Sequence, residues 1–186
     1  GSCAASPPPA SACVTQARRR YMSQDSAVEW AGLYDLQGGR TYRWTFNAYM
    51  SGKDGSYGYP DPGITVVVVS APSLAAATPA ADEELSRNSA EPSVVGEGET
   101  VAVQAGAQWI KFTAPSAEAR ATTVLIRPAE SGKVAVVTEH VPAEFMAHFL
   151  VDDATGDLLF PTDATLYADI TVQGPEVGGN GDGDDD

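Results

Sequence analysis

The segment TYRWTFNAYM, residues 41–50, decides the fold class. Tyr42, Trp44, Phe46, Ala48 and Met50 fall on one face of an extended chain, with Arg43, Thr45, Asn47 and Tyr49 on the other. Alternation of period two in a run rich in aromatic residues marks a strand with one face in a core. Met50, last on the apolar face, reads as a core residue, the alternative being a contribution to a metal site from a neighbouring strand. Upstream, residues 28–36 form a second strand candidate, stopped by Gly38-Gly39. Downstream, residues 51–63 (SGKDGSYGYPDPG) are dense in Gly, Pro and Asp and form a loop with several turns. The apolar run ITVVVV, residues 64–69, is then a fully buried strand.

Short strand candidates return at residues 100–104, 108–113, 122–127, 134–138, 157–160 and 166–172, separated by Gly, Pro and Asp turns. Almost nothing shows helical periodicity. The pattern predicts an all-β fold, an antiparallel β-sandwich or a barrel. Residues 71–91 are Ala-rich and polar and read as a surface insertion, with a short helix candidate at 82–87. The expected organisation is a Pro/Ala/Ser-rich tail or linker at 1–20, a β-sandwich domain at 21–173 and an acidic Gly/Asp-rich tail at 174–186, both tails disordered.

A net charge of −14 over 186 residues disfavours nucleic acid, whose phosphates are bound by clustered Lys and Arg. The one basic cluster, Arg18-Arg19-Arg20, is too short to line a groove. No apolar run approaches the ~20 residues of a membrane-spanning helix. Cys3 and Cys13 bracket Pro7-Pro8-Pro9; they either close a small disulfide loop, pair with another segment, or remain free thiols. The Ser/Pro/Ala-rich start and the scarcity of lysine point to a secreted or cell-surface, extracytoplasmic protein.

The chemistry concentrates in GKVAVVTEHVPAEFMAHF, residues 132–149, which holds both histidines of the chain. Residues 134–138 alternate as a strand, Val141-Pro142 interrupts them, and residues 145–151 alternate again. The simplest picture is a β-hairpin whose connection spans about 139–144. In one register His140, Glu144, Met146 and His148 share a face; a slip of one residue separates the two histidines. The candidate metal ligands are therefore His140, His148, Glu144, Glu139 and Met146. Imidazole with carboxylate suits zinc, copper(II) or iron(II), and a thioether favours copper(I). The plain alternative is that His140 caps a turn while His148 packs on a half-exposed strand. A blue-copper centre needs a cysteine thiolate beside its histidines, and no cysteine follows Cys13.

Other signals are weaker. Tyr57 and Tyr59, near Asp54 and Asp61, either cover a sheet edge or form a binding loop with stacking aromatics. Trp30, Trp44 and Trp109 are core residues or sugar-stacking platforms. The tail from Asn180 to Asp186 resembles the start of an Asp-rich calcium loop but lacks the distal glutamate, so a solvated acidic linker competes with weak calcium binding. No GxSxG elbow or Gly-rich phosphate loop is present, which argues against an enzyme.

The segments WAGLYDLQGGRTYRWTF (30–46) and GKVAVVTEHVPAEF (132–145) resemble those of small secreted or periplasmic β-sandwich domains associated with metal handling. That resemblance implies a cupredoxin-like architecture, with an immunoglobulin-like sandwich as the other option, and places His140 and Glu144 at the functional segment. Two functions are expected from these readings. The first is a non-enzymatic, extracytoplasmic transition-metal-binding protein for sequestration or delivery. The alternative is a structural or adhesive module of a larger cell-surface or matrix protein, contacting a protein or a glycan.

Overall fold

A computed structural model of the chain describes residues 26–50, 55–87, 92–104, 106–147 and 149–167. Among the described residues, thirteen strands, one α-helix and one short 3₁₀ helix follow in order. The strands are β1 (Trp30–Leu36), β2 (Tyr42–Asn47), β3 (Tyr49–Met50), β4 (Tyr57–Gly58), β5 (Gly63–Ser70), β6 (Ser93–Val95), β7 (Thr100–Val101), β8 (Gln108–Lys111), β9 (Ala121–Ile126), β10 (Gly132–Thr138), β11 (Leu150–Asp152), β12 (Leu158–Leu159) and β13 (Asp163–Leu166). The helix α1 (Leu74–Ser86) follows β5, and the 3₁₀ turn (Pro142–Phe145) follows β10.

Two sheets face each other across the core. The first has the order β13-β1-β10-β5-β8-β6 and the second β12-β11-β2-β9-β7, while β3 and β4 form a separate hairpin. The expected all-β sandwich is present. Its sheets are mixed rather than purely antiparallel, because β6 runs parallel to β8 and β7 parallel to β9. Those edge strands are only two or three residues long, too short for their alternation to register in the sequence.

The two sheets differ in how many faces they bury. On β2, Tyr42, Trp44 and Phe46 are buried while Arg43 is exposed and Thr45 and Asn47 half-buried, as the alternation requires. The first sheet is covered on both faces. Tyr34, Leu36, Ile64, Val66, Val68, Val134 and Val136 point into the sandwich. Ala31, Leu33, Val67, Ala135 and Val137 point the other way, onto α1. A strand buried on both sides reads as a continuous apolar run, which is what β5 and β10 show.

The segment expected to be a surface insertion contains that covering helix. Leu74, Ala77, Thr78 and Ala81 are buried at the i, i+3, i+4, i+7 spacing of one helix face. Ser73 caps the N-terminus, its side chain accepting from the Ala76 amide at 3.3 Å. Alanine gives little hydrophobic contrast, and Pro79 lies inside the helix, so periodicity and breaker signals both concealed it. Asp82 then ties the helix to the chain entering β1, accepting from Ser26 Oγ at 3.0 Å and the Ala27 amide at 2.9 Å.

Two further expectations change. The residues around 134–151 do not make a hairpin: β10 pairs with β1 and β5 in the first sheet, and β11 with β2 and β12 in the second. Pro142, fixed at φ near −65°, starts the 3₁₀ turn and carries the chain across the sandwich instead. Met50 is 59% exposed, not in the core, because the sheet run ends at Asn47 and a new hairpin begins at Tyr49. At Gly32, an added Cβ would lie 2.3 Å from the Trp30 ring, which packs flat along β1 over the glycine. Trp44 is fully buried, while Trp30 is only partly so and packs on the core.

The tails, with Cys3, Cys13 and the Asp-rich end, lie outside the described residues, as does His148.

Candidate metal centre

The site forms where β10 ends. Thr138, its last residue, is paired with Trp30 on one side and Val66 on the other. The Glu29 amide donates to Thr138 O at 3.0 Å, which sets the residue before β1 beside the exit of β10. Glu139 is spent on the sheet: its amide donates to Thr65 O at 3.2 Å, and its Oε1 accepts from the Thr65 amide at 2.7 Å. Thr138 Oγ1 donates to His140 O at 2.6 Å and fixes the turn at the histidine.

The 3₁₀ turn then closes tightly. The Glu144 amide donates to Val141 O at 2.9 Å and the Ala147 amide to Pro142 O at 2.9 Å. Its anchor is Phe145, fully buried, with its ring centroid 5.0 Å from Phe112 and 6.3 Å from Phe46. The same ring stands 6.1 Å from His140. Trp44 Nε1 donates to Ala147 O at 3.3 Å and ties the far side of the turn to β2. The turn is thus held from both sheets; Ala143, Glu144 and Met146 are exposed on its outer side, and His140 stands half-buried just before it.

Glu29, His140 and Glu144 come together, each offering a ligand atom within 4.8 Å of the others. His140 Nδ1 is 3.7 Å from Glu29 Oε2, and on the other side of the ring Nε2 is 3.9 Å from Asp61 Oδ2. His140 is 33% exposed and Glu29 37%, so the centre is half-sunk in the surface, with Glu144 exposed above it. Burial raises the Glu29 carboxyl above its ordinary value. Attraction to His140 opposes that shift, and the negative charges of Glu144 and Glu139 add to it. Among the described residues, no lysine or arginine pairs with any of these carboxylates.

Around a tetrahedral ion with bonds near 2.1 Å, donor atoms lie about 3.4 Å apart. The observed limit of 4.8 Å is wider, so the donors would have to draw in around an ion. The donor set of one imidazole nitrogen and two carboxylate oxygens fits a borderline divalent cation.

The sequence-predicted ligands therefore divide. His140 and Glu144 belong to the cluster. Glu139 sits beside it but its carboxylate is bonded to the Thr65 amide within β5. Met146 is 52% exposed and ends the 3₁₀ turn in the left-handed region, with φ 53°. Glu29 is the residue sequence reasoning missed as a ligand: it precedes β1, and only the pairing of β1 with β10 brings it to the histidine. Tyr59 is stacked on Phe112 at 4.5 Å, with its hydroxyl 3.0 Å from Thr122 Oγ1. Tyr57 is half-buried beneath the Arg120 guanidinium, 3.8 Å from the ring centroid.

Comparison with known proteins brings no match: no family model, no curated protein and no solved structure matches the chain.

Proposed function

We propose that this chain is a non-enzymatic, extracytoplasmic binder of a divalent transition-metal ion, acting in its sequestration or delivery. The observation that carries the reading is the convergence of Glu29, His140 and Glu144 from two separate segments onto one point, with donor atoms within 4.8 Å. A half-buried and an exposed carboxylate held this close repel each other, and a divalent cation relieves that repulsion. Zinc fits the donor set best; iron(II) and copper(II) are the nearest competitors. Three protein ligands leave a coordination position open, and the exposed Glu144 leaves the ion accessible for transfer. The extracytoplasmic setting rests on the composition of the N-terminal residues, and the cupredoxin-like resemblance agrees with it.

The test is calorimetric titration of zinc, copper(II) and iron(II) near pH 7 into the wild-type protein and His140→Ala. The expected result is 1:1 binding that falls at least 100-fold in the variant; equal affinity in both proteins eliminates the site.

A second reading, an adhesive module, is favoured by one observation. Leu158 is 53% and Phe160 64% exposed at the β12 edge, where the Phe160 and Phe149 rings lie 5.7 Å apart. Under it this patch contacts another extracellular protein or a glycan, and Phe160→Ser abolishes binding to cell-surface extracts while zinc affinity is untouched.

A further inference from the structure

Asp61 lies on the far side of the His140 ring from Glu29, on a turn that is clamped at both ends. Before it, Tyr59 is stacked on Phe112 at 4.5 Å and its hydroxyl meets Thr122 Oγ1 at 3.0 Å. After it, Pro62 O accepts from the Phe112 amide at 2.9 Å. Asp61 is thus presented by an anchored turn, with Oδ2 3.9 Å from Nε2, while Nδ1 faces Glu29 Oε2 at 3.7 Å.

A neutral imidazole has one N–H and one lone pair, and a metal takes the lone pair. The nitrogen that ligates is set by the partner of the other nitrogen. On the Nδ1 side stands Glu29 at 3.7 Å, and Glu29 belongs with Glu144 to the one cluster the histidine completes. On the Nε2 side stands Asp61. Two carboxylates neutralise a divalent ion where one leaves it half-compensated. We propose that Asp61 closes from 3.9 Å to hydrogen-bond distance, accepts the Nε2 proton of His140 and so presents Nδ1 as the metal-binding nitrogen. Asp61 is then a positioning residue rather than a ligand, and the stacked Tyr59 serves the site by holding its turn. This inference rests on the metal-binding reading above.

The experiment is a long-range ¹H–¹⁵N correlation spectrum of ¹⁵N-labelled wild-type protein with and without one equivalent of zinc. His140 is assigned from the metal-free His148→Gln variant, in which it is the sole histidine. Zinc is expected on Nδ1, with the proton kept on Nε2. Asp61→Ala is expected to weaken zinc binding 10–100-fold and to lose the single-tautomer spectrum, with Asp61→Asn, which keeps an acceptor oxygen, falling between. Zinc on Nε2, or wild-type affinity and tautomer in Asp61→Ala, overturns the role of Asp61 and leaves the metal site standing. Absence of zinc binding to the wild-type protein overturns both.

Discussion

At one end of the sandwich Asp152 accepts from the Arg40 guanidinium with one carboxylate oxygen and from the Ala154 amide, at 2.9 Å, with the other. At the other end Glu29 shares a half-buried site with Glu144 and has a histidine for company. The register of β1 separates the two: Trp30 faces Thr138 at the Glu29 end, and Leu36 faces Gly132 at the end from which the chain turns toward Arg40. Turning there requires Gly39, whose φ of +74° is in the left-handed region. The hydrogen bond from Arg40 holds the Asp152 carboxyl below its ordinary value, while burial pushes that of Glu29 above it. One end is a satisfied structural pair. The other is a set of carboxylates that pairs with no lysine or arginine among the described residues, and the proposed cation would complete its compensation.

The comparison can be broken in several ways, and the largest effect is expected at Phe145. Truncation to alanine removes a fully buried ring and should cost about 3–5 kcal/mol, measured by urea unfolding; zinc affinity should fall with it, because the turn that carries His140 and Glu144 loses its anchor. Next comes His140→Ala, with a loss of zinc affinity of at least 100-fold and a thermal midpoint close to wild type.

Glu29→Gln separates the ends most clearly. Zinc binding should drop by 10-fold or more, while the metal-free protein becomes more stable by up to about 1 kcal/mol, the figure being limited by solvent screening of a partly exposed group. The matching change at the other end, Asp152→Asn, should lower the thermal midpoint and leave zinc affinity alone. A zinc defect in Asp152→Asn would remove the distinction between the two ends.

The smallest effect is in the pH dependence of stability, and its sign differs between the ends. Glu29 holds its proton more tightly folded than unfolded. The metal-free fold therefore gains stability as pH falls through the raised value, and the penalty is complete above it. Asp152 works the other way: its contribution is present above the ordinary carboxylate value and is lost as pH falls through the lowered one. Urea titrations between pH 3 and 7 should show the first component vanish in Glu29→Gln and the second in Asp152→Asn. Zinc affinity should rise with pH across the Glu29 window, since the ion competes with its proton.

What the sequence revealed followed the reach of each signal. The alternation of 42–47 and the valine runs of β5 and β10 are local, and they placed the strands. The spacing of His140 and Glu144 about Pro142 is equally local and marked two of the three clustered residues. Glu29 and Asp61 arrive through strand pairing and a turn clamped on Phe112, relations between residues far apart in sequence that periodicity does not encode. The helix at 74–86 was hidden for a different reason: its buried face is mostly alanine and threonine, and only the valines opposite make it a core face. The alternation after Pro142 misled because Phe145 belongs to a 3₁₀ turn that plugs the sandwich, with β11 starting only at Leu150.

The most direct measurement is anomalous diffraction at the zinc edge from crystals grown with one equivalent of zinc. The account predicts one strong peak among Glu29, His140 and Glu144, within bonding distance of His140 Nδ1. A crystal containing bound zinc with its peak elsewhere, and this cluster empty, would contradict it.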